Sequence, residues 1–396
     1  MSALKKISAR LGYDVSGSDL RSGGHDQKNI EGKDLVVFSG AVPDDNVELF
    51  HARKLGVPVM ERSEFLAFIS GLFDKTVAIA GCHGKTTTTA MTGEAFASKN
   101  PTVHVGGEYD FGFKQGKELF ITEACEYRRS FLALKPDVAV ITNVDFDHPD
   151  TYKDIGEVAE AFSQFVKKSG FTVYNGDDKL LCKIAVGTSV GWSDDNDYVI
   201  RRRKGGFDLF YHEAYAGGYE CAFDQPFNIK DAALAAATAL EGGVRYRDVQ
   251  SGIARFKGVK RRGEIVCFDG FCTVVSDYSH HPAEIRERIS SLKERYGSVA
   301  VIFQPHTYSR TKALLGRFSE AFTEADETVF TNTFAAREKD GDDLLIYEAC
   351  KSKATCSFVP LDRLQETFVR LKSGYACVAL MGAGDFQAKL SVKTEE

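Results

Sequence analysis

Between Thr76 and Thr89 the chain reads Thr-Val-Ala-Ile-Ala-Gly-Cys-His-Gly-Lys-Thr-Thr-Thr-Thr, and these residue types in this order can do phosphate chemistry. An apolar run leads into a glycine turn, a lysine and four threonines, and then into the helix-like Ala90-Met91 segment. Backbone N–H groups of such a turn, together with the positive end of the helix behind it, point at an anion. Lys85 can reach terminal phosphates, and the Thr86 or Thr87 hydroxyl can hold a Mg²⁺ ion. The general phosphate-loop pattern has a glycine five places before Gly84, where this chain has Ile79. The loop is therefore the shorter form Gly81-x-x-Gly84-Lys85-Thr86-Thr87. Glycine turns before helices arise by chance, but chance does not supply Lys-Thr-Thr behind them. The pattern predicts a bound nucleoside triphosphate, with Gly81, Cys82, His83, Gly84, Lys85, Thr86 and Thr87 around its phosphates.

More polar residues stand where apolar runs end. Glu123 closes Leu119-Phe-Ile-Thr-Glu123, and Thr142-Asn-Val-Asp-Phe-Asp-His148 follows Val138-Ala-Val-Ile. In an open α/β sheet, ligands bind outside the carboxyl ends of the strands. A carboxylate and an imidazole placed there could complete Mg²⁺ coordination to the nucleotide. Singly, such a glutamate is ordinarily a solvated turn residue and such a histidine a satisfied surface or core group; their shared position after a phosphate loop sets them apart. Further on, Ser276-Asp-Tyr-Ser-His-His-Pro282 and Gln304-Pro-His-Thr-Tyr-Ser-Arg310 again follow apolar runs. Arg261 and Arg262 lie between blocks, where a cation can reach a nucleotide held by a neighbouring domain. Helix caps at Ser279 and Ser309 and linker charges at Lys260 to Arg262 explain each feature alone but not the set. Cys82 and Cys125 should border the same site. The helix N-terminus and Lys85 are expected to favour the Cys82 thiolate, the alternative being that both cysteines simply fill space.

The elements that must position these groups are those of a multi-domain α/β protein. A chain of 396 residues is long for one core and suggests two or three domains. With 43% hydrophobic and 27% charged residues it sits near the globular average. A net charge of −6 gives no sign of a nucleic-acid or membrane surface. The basic run Arg201-Arg-Arg-Lys204 precedes Gly-Gly and reads as a solvated hairpin end. No apolar segment nears the ~20 residues needed to span a bilayer, and the segment after Met1 is an amphipathic helix pattern without an apolar leader core. Nine scattered cysteines without a C-x-x-C pair predict reduced thiols in a cytosol.

Short Val- and Ile-rich runs alternate with helical patterns, the signature of parallel sheets covered on both faces. Residues 1–73 hold a helix from Ser2 to Leu11, a strand-like Asp14-Val-Ser16, apolar runs at Leu35 to Phe38 and Val57 to Met60, and a helix from Ser63. Residues 74–256 open with the phosphate loop, continue through Leu119 to Glu123, Val138 to Thr142 and Phe171 to Tyr174, and reach an alanine-rich helix from Ile229 to Leu240. Residues 257–396 carry strands at Cys272 to Val275, Val299 to Phe303, Glu327 to Phe330 and Cys377 to Met381.

With these residues in place, the chain resembles the Mur ligases, the ATP-dependent family that adds amino acids to the peptidoglycan precursor. The matching motifs run from Gly12-Tyr-Asp-Val-Ser-Gly-Ser-Asp19 through Gly81 to Thr89, Glu123-Ala to Ser130-Phe-Leu, Thr142 to His148, Phe256 to Arg262, Asp277 to Pro282, Gln304 to Thr311, Ala335-Ala-Arg-Glu338 and Gly382-Ala-Gly384. The likeness is strongest to the branch that adds L-alanine to UDP-N-acetylmuramate. It implies three domains, each a mainly parallel sheet with flanking helices: a Rossmann-like UDP-sugar domain, a phosphate-loop ATPase domain and a Rossmann-like C-terminal domain. It implies ATP and Mg²⁺, an acyl-phosphate intermediate, UDP-N-acetylmuramate and L-alanine as substrates, no nucleic acid or membrane, a monomer or homodimer, and a cytoplasmic location.

By motif position, Lys85, Glu123, His148, Arg262 and Asp277 would be catalytic, with Thr86, Glu123 and His148 on metal. Asn228, Arg262 and Asp277 would contact the nucleotide. Ser18, Asp19 and Ser39 would meet the sugar nucleotide, and His281, His306 and Arg310 would lie near the incoming amino acid, where Arg310 could pair with its carboxylate. The chain departs from the family pattern in places. Met1-Ser2-Ala3-Leu4 matches the helix after the family's first strand and glycine loop, and the segment between Asp19 and Gly24-His25 is shortened. An unpaired sheet edge and weak sugar-nucleotide binding are therefore expected of the first domain. The family's His-Asn-x-x-Asn reads Phe227-Asn228-Ile-Lys-Asp231, and its Glu-Ala-Asp-Glu reads Glu123-Ala-Cys-Glu126. Two alternatives stay open on the sequence: a ligase that recycles a whole murein tripeptide, and a nucleotide-binding paralogue acting through a partner.

Overall fold

The computed structural model describes residues 1–19, 23–336, 338–339 and 341–391. The first part holds α1 (Ser2–Arg10), β1 (Val36–Phe38), α2 (Val47–Leu55), β2 (Val59–Glu61) and α3 (Arg62–Ser70). β1 and β2 pair in parallel, Val36 opposite Val59, as a two-stranded sheet. Local chemistry sets the helix ends. The Asn46 side chain caps α2 by accepting from the Glu48 and Leu49 N–H groups, α2 stops at the left-handed Gly56, and Glu61 with Glu64 forms a capping box on α3. The strand expected at Asp14 to Ser16 does not form: among the described residues this stretch pairs with no strand, and the chain instead runs on to Ser18 against α2. Leu4 and Ile7 of α1 and Leu66 and Ile69 of α3 share one apolar cluster with Ala78 and Phe120 of the next sheet.

The central part contains β3 (Lys75–Ala80), α4 (Lys85–Ala95), β4 (Thr102–His104), β5 (Leu119–Glu123), β6 (Val138–Ile141), α5 (Ile155–Lys168), β7 (Phe171–Asn175), α6 (Leu181–Ile184), β8 (Thr188–Gly191), β9 (Tyr198–Arg203), β10 (Gly206–Tyr211), β11 (Ala214–Glu220), α7 (Pro226–Glu241) and α8 (Tyr246–Arg255). Its sheet has the order β11-β10-β9-β8-β7-β6-β3-β5-β4. Pairing is parallel from β9 to β4 and antiparallel through β9, β10 and β11. The expected hairpin end at Arg201 to Lys204 is the β9–β10 turn. On one face, α4, α7 and α8 pack around Val77 and Ile79, with the alanines of α7 fully buried and small enough to admit α4 closely. On the other face α5 packs through Val158, Phe162 and Phe165.

The last part contains β12 (Arg262–Phe268), β13 (Thr273–Asp277), α9 (Pro282–Tyr296), β14 (Val299–Phe303), α10 (Tyr308–Ala313), α11 (Leu315–Ala321), β15 (Glu327–Phe330), α12 (Leu345–Cys350), β16 (Cys356–Phe358), α13 (Leu364–Gly374) and β17 (Cys377–Met381). The sheet order is β12-β13-β17-β14-β15-β16, parallel except for the β12–β13 pair. α9, α11 and α12 cover one face, and α13 with Phe386 covers the other. The fold is thus the expected α/β arrangement with parallel-rich sheets. Among the described residues no helix is long and apolar enough to cross a membrane. Hydrogen bonds join the segment after β6 to those after β13 and β14, and His83 after β3 faces Glu284 of α9 at 3.6 Å, so the carboxyl ends of the two large sheets face each other.

Candidate active site

β3 delivers the chain into the phosphate loop, and the segment after β6 holds that loop in shape. Thr142 Oγ1 and Asn143 Nδ2 both donate to the His83 carbonyl, at 2.5 and 3.0 Å, while the His83 N–H donates to Asn143 Oδ1 at 2.9 Å. Two glycines are obligatory. Gly81 has φ +143°, and a Cβ there would lie 1.9 Å from Thr142 Oγ1; Gly84 has φ +79°, and a Cβ there would lie 2.9 Å from Asp231 Oδ1. In the helix that follows, the Thr88, Thr89 and Thr92 hydroxyls donate to carbonyls four residues back. Those of Thr86 and Thr87 make no hydrogen bond among the described residues, and Thr87 lines the cleft described below.

Lys85 folds back over its own loop. Its Nζ donates to Gly81 O at 2.5 Å and Cys82 O at 3.1 Å, and lies 2.8 Å from Glu126 Oε2. Burial works against both charges, but the pair outweighs it: the Lys85 pKa is raised and that of Glu126 lowered. His148 Nε2 stands 3.4 Å from Glu126 Oε1. Glu126 is therefore the carboxylate that the structure seats against both Lys85 and His148. Glu123 lies nearby at the end of β5, where its Oε1 accepts from Gly106 N–H at 2.6 Å. Thr86 packs against the next residue of that turn, Cγ2 being 3.1 Å from where a Cβ on Gly107 would stand. A threonine hydroxyl and a carboxylate flanking one turn are hard-oxygen donors of the kind that Mg²⁺ takes, and the Glu126 carboxylate, with the His148 imidazole 3.4 Å from it, follows three residues after Glu123. The residues present fit that ion.

One expectation fails here. Cys82 is 8% exposed, its Sγ donating to Asp145 O at 3.0 Å and accepting from Asp145 N–H at 3.2 Å. Burial and then the Glu126 charge push its thiol well above the ordinary value, outweighing Lys85, so the thiolate is disfavoured. Burial likewise raises Cys125 to about 11.

The C-terminal sheet closes over this site. Arg310 Nε donates to Asp147 Oδ1 at 2.8 Å with both side chains buried, and its Nη2 lies 3.5 Å from His148 Nδ1. Arg317 grips Asp145 with both nitrogens, at 2.8 and 2.7 Å. His281 Nε2 lies 3.1 Å from Phe146 O, and His83 Nδ1 lies 3.6 Å from Glu284 Oε1. Burial would discourage protonation of His83, yet Asp145 and Glu284 prevail and push it up to about 10. Burial and then Arg310 hold His280 near 3 and His306 near 4; burial and then His83 hold His281 near 4. Arg310, expected to pair with the carboxylate of the incoming amino acid, is paired here with Asp147. The His281 ring is wholly buried between the two domains, and His306 stacks on Phe334.

Between the domains runs a cleft of about 90 Å³ lined by Gly84, Thr87, Asn228, Asp231, Arg262 and Asp277, among others. The volume is well below the roughly 300 Å³ at which small-molecule pockets begin. A larger hollow of about 620 Å³ lies at Asp194 to Asp197 and His212 and contains none of the phosphate-loop residues. Arg262 lies over the Tyr278 ring, and Asp277 is fixed by Arg288 at 2.8 Å. Asn228 Nδ2 donates to Gln225 Oε1 at 3.1 Å.

Family comparisons agree with this geometry along the chain. The description "Mur ligase family, catalytic domain" matches residues 1–74, "Mur ligase middle domain" residues 79–191, and "Mur ligase, glutamate ligase domain" residues 261–384. A UDP-N-acetylmuramate–L-alanine ligase of Clostridium acetobutylicum is 37% identical along an alignment 375 positions long that covers 86% of this chain and 82% of that one. The chain belongs to the Mur ligase family. Among solved structures, a UDP-N-acetylmuramate–alanine ligase from Thermotoga maritima shares the fold with a TM-score of 0.77 at 24% identity, over 97% of this chain and 88% of that one. A murein peptide ligase from Psychrobacter arcticus does so with a TM-score of 0.69 at 19% identity, over 98% and 94%. As a Mur ligase the protein is an ATP-dependent, amide-forming enzyme.

The residues expected to meet the sugar nucleotide lie apart from the phosphate loop of this Mur ligase, in its first part. Ser18 Oγ donates to Glu48 Oε2 at 2.7 Å, beside His25, and Glu48 also accepts from Asn29 and Asp26 N–H. These donors, Asn29 foremost, hold the Glu48 pKa down against its burial. Asp19 bridges to Gly23, and Ser39 Oγ accepts from Ala41 N–H at 3.4 Å. The shortened segment at 20–22 and Arg337 of the Ala335 to Glu338 motif lie outside the described residues. Sequence reasoning gave no role to Glu126, Asp145, Asp147 or Glu284. Three of these four lie inside the quoted motifs, where acidic residues alternate along one extended segment at Asp145 and Asp147 and recur three places after Glu123.

Proposed function

We propose that this Mur ligase joins L-alanine to the lactyl carboxylate of UDP-N-acetylmuramate, using ATP and passing through an acyl phosphate. The observation that carries the reading is the meeting of the phosphate loop and Lys85 with Asp145 to His148, His281 and Arg310 at the facing carboxyl ends of two sheets. ATP would lie along the loop N–H groups, with the base toward Asn228 and Asp277 and with Arg262 reaching its phosphates from across the cleft. Lys85 would leave Glu126 for the transferring phosphoryl group, whose spreading negative charge a fixed cation stabilises. Thr86, Glu123 and His148 would hold Mg²⁺, which would supply positive charge against that of the phosphates. The lactyl carboxylate attacks the γ-phosphorus and ADP departs; the amine then attacks the acyl carbon and inorganic phosphate leaves. Asp147, fixed by Arg310, keeps His148 and the closing domain in register. UDP-linked substrate, ATP and free thiols fit a cytoplasmic setting.

The test is phosphate release by the full chain with each substrate in turn. Release that requires both UDP-N-acetylmuramate and L-alanine supports the reading. Release that needs a murein tripeptide instead of L-alanine would favour the recycling alternative, and nucleotide binding without turnover would favour the non-catalytic one.

A further inference from the structure

Three side chains converge from separate elements beside the nucleotide cleft: His83 of the phosphate loop, Asp145 after β6, and His281 at the N-cap of α9. Each offers one ligand atom, and the three atoms lie within 4.8 Å of one another. His83 Nε2 is 3.4 Å and His281 Nδ1 3.8 Å from the same oxygen, Asp145 Oδ2. Bonds of about 2.0–2.1 Å to a tetrahedral ion would put ligand atoms about 3.3 Å apart, so only small movements would close the set. The outer ring nitrogens are already placed. His281 Nε2 faces the Phe146 carbonyl, which can only accept, so the hydrogen sits on Nε2 and the Nδ1 lone pair points inward. His83 Nδ1 faces Glu284. A metal-ligating histidine characteristically donates its other N–H to a carbonyl or a carboxylate, and here there is one of each.

Two contacts compete. Ala283 N–H donates to His281 Nδ1 at 3.3 Å, a long capping bond, and Arg317 holds both Asp145 oxygens. A carboxylate has about four lone-pair sites, so Arg317 leaves Oδ2 able to accept a second partner.

We propose that His83, Asp145 and His281 form a site for a divalent transition-metal ion, Zn²⁺ by ligand type, separate from the Mg²⁺ position and bridging the phosphate loop to the C-terminal domain. Two imidazoles and one carboxylate with a fourth position open suit Zn²⁺ or Co²⁺, whereas Mg²⁺ prefers oxygen. The carboxylates of Asp145 and Glu284 lie on either side of the His83 ring, 3.4 and 3.6 Å from its nitrogens, and their negative charge favours a cation there. His83 also lines the cleft between the phosphate loop and the C-terminal domain, so the ion pins the two together and slows entry of the nucleotide that the proposed function places there.

The test uses the full chain, freed of metal and without nucleotide, titrated with Co²⁺ in excess Mg²⁺. One equivalent should bind with the intense visible absorption of a four-coordinate site, and Zn²⁺ should displace it. Asp145→Asn and His281→Gln should lose that absorption, while Glu123→Gln and His148→Gln should keep it. Arg317→Gln, which releases Asp145, should bind Co²⁺ about tenfold more tightly. Absorption missing from the parent protein, retained in both ligand variants or lost with His148→Gln would overturn the site. Should the ligand variants fail to fold, the parent spectrum and the Arg317→Gln affinity still decide, and an unchanged affinity in Arg317→Gln would also overturn it.

Discussion

Asp231 is a carboxyl group buried under the phosphate loop, and replacing it with asparagine should stabilise the protein in a pH-dependent way. The side chain is 8% exposed, one oxygen sits against Gly84, and Thr88 is its hydrogen-bonding neighbour. Burial first and Glu287 second push its pKa up to about 8 from the ordinary 3.8, against the lowering influence of Thr88, Lys230 and Arg262. At neutral pH the folded protein therefore keeps a proton that the unfolded chain has lost. Stability contributed by such a group is complete below about pH 4 and is lost as pH rises towards 8, at about 1.4 kcal/mol per unit. At pH 7, roughly three units above the unfolded value, the loss amounts to at most about 4 kcal/mol. Asparagine has the same shape and retains one acceptor and a donor, but it never ionises, so Asp231→Asn escapes the loss. A domain of this size gains about 2–4 °C in Tm per kcal/mol. Thermal unfolding of both proteins from pH 5 to pH 8 is the assay. The variant should melt higher at pH 7, by several degrees, and the gap should widen with pH and level off above about 8. A gap that is constant with pH, or a variant that melts lower at pH 8, would refute the buried-acid reasoning.

The elements around Asp231 show what the sequence could and could not reveal. The phosphate loop was readable because strand, glycine turn and helix start are contiguous, so no distant residue is needed to interpret them. β5, β14 and β17 fall at their expected positions because each is a run of apolar residues buried on both faces. β9 to β11 were visible only as a hairpin end, since their buried positions are interrupted by Arg201, Arg202 and the glycines of β11. Asp14 to Ser16 has strand-like residue types, but a strand exists only where a neighbour pairs with it, and that depends on distant chain.

The same limit governs the site. Lys85 and His148 could be named from local motifs, yet the ion pairs that fix the acidic residues around them could not. Asp147 meets Arg310 from 163 positions away, and Asp145 meets Arg317 from 172. Read alone, Arg310 is a free cation awaiting a carboxylate; folded, it already has one. Charge partners made by domain closure are a property of tertiary structure, and no spacing rule within one motif reports them.

Further expectations test the remaining groups. Lys85→Ala removes the cation over the transferring phosphate and should lower ligation by the folded fraction by about 10³-fold or more; near-normal phosphate release would contradict its role. Glu123→Gln and His148→Gln should each raise the Mg²⁺ concentration needed for half-maximal turnover, and midpoints equal to the parent's would remove them as ligands. Asp147→Ala leaves the Arg310 charge buried without its carboxylate and should cost about 3–5 kcal/mol; a Tm within a degree of the parent would show the pair to be dispensable. Cys82 should resist alkylation. Its sulfur is buried and hydrogen-bonded at both ends by the Asp145 backbone, and burial with Glu126 disfavours the thiolate, which is the reactive form. Cys182, by contrast, is exposed. Limited iodoacetamide treatment followed by peptide mapping should therefore label Cys182 before Cys82, leave turnover intact after one equivalent, and give the same pattern with or without Mg·ATP. Inactivation that tracks Cys82 labelling and is prevented by nucleotide would show that the helix N-terminus and Lys85 outweigh burial after all.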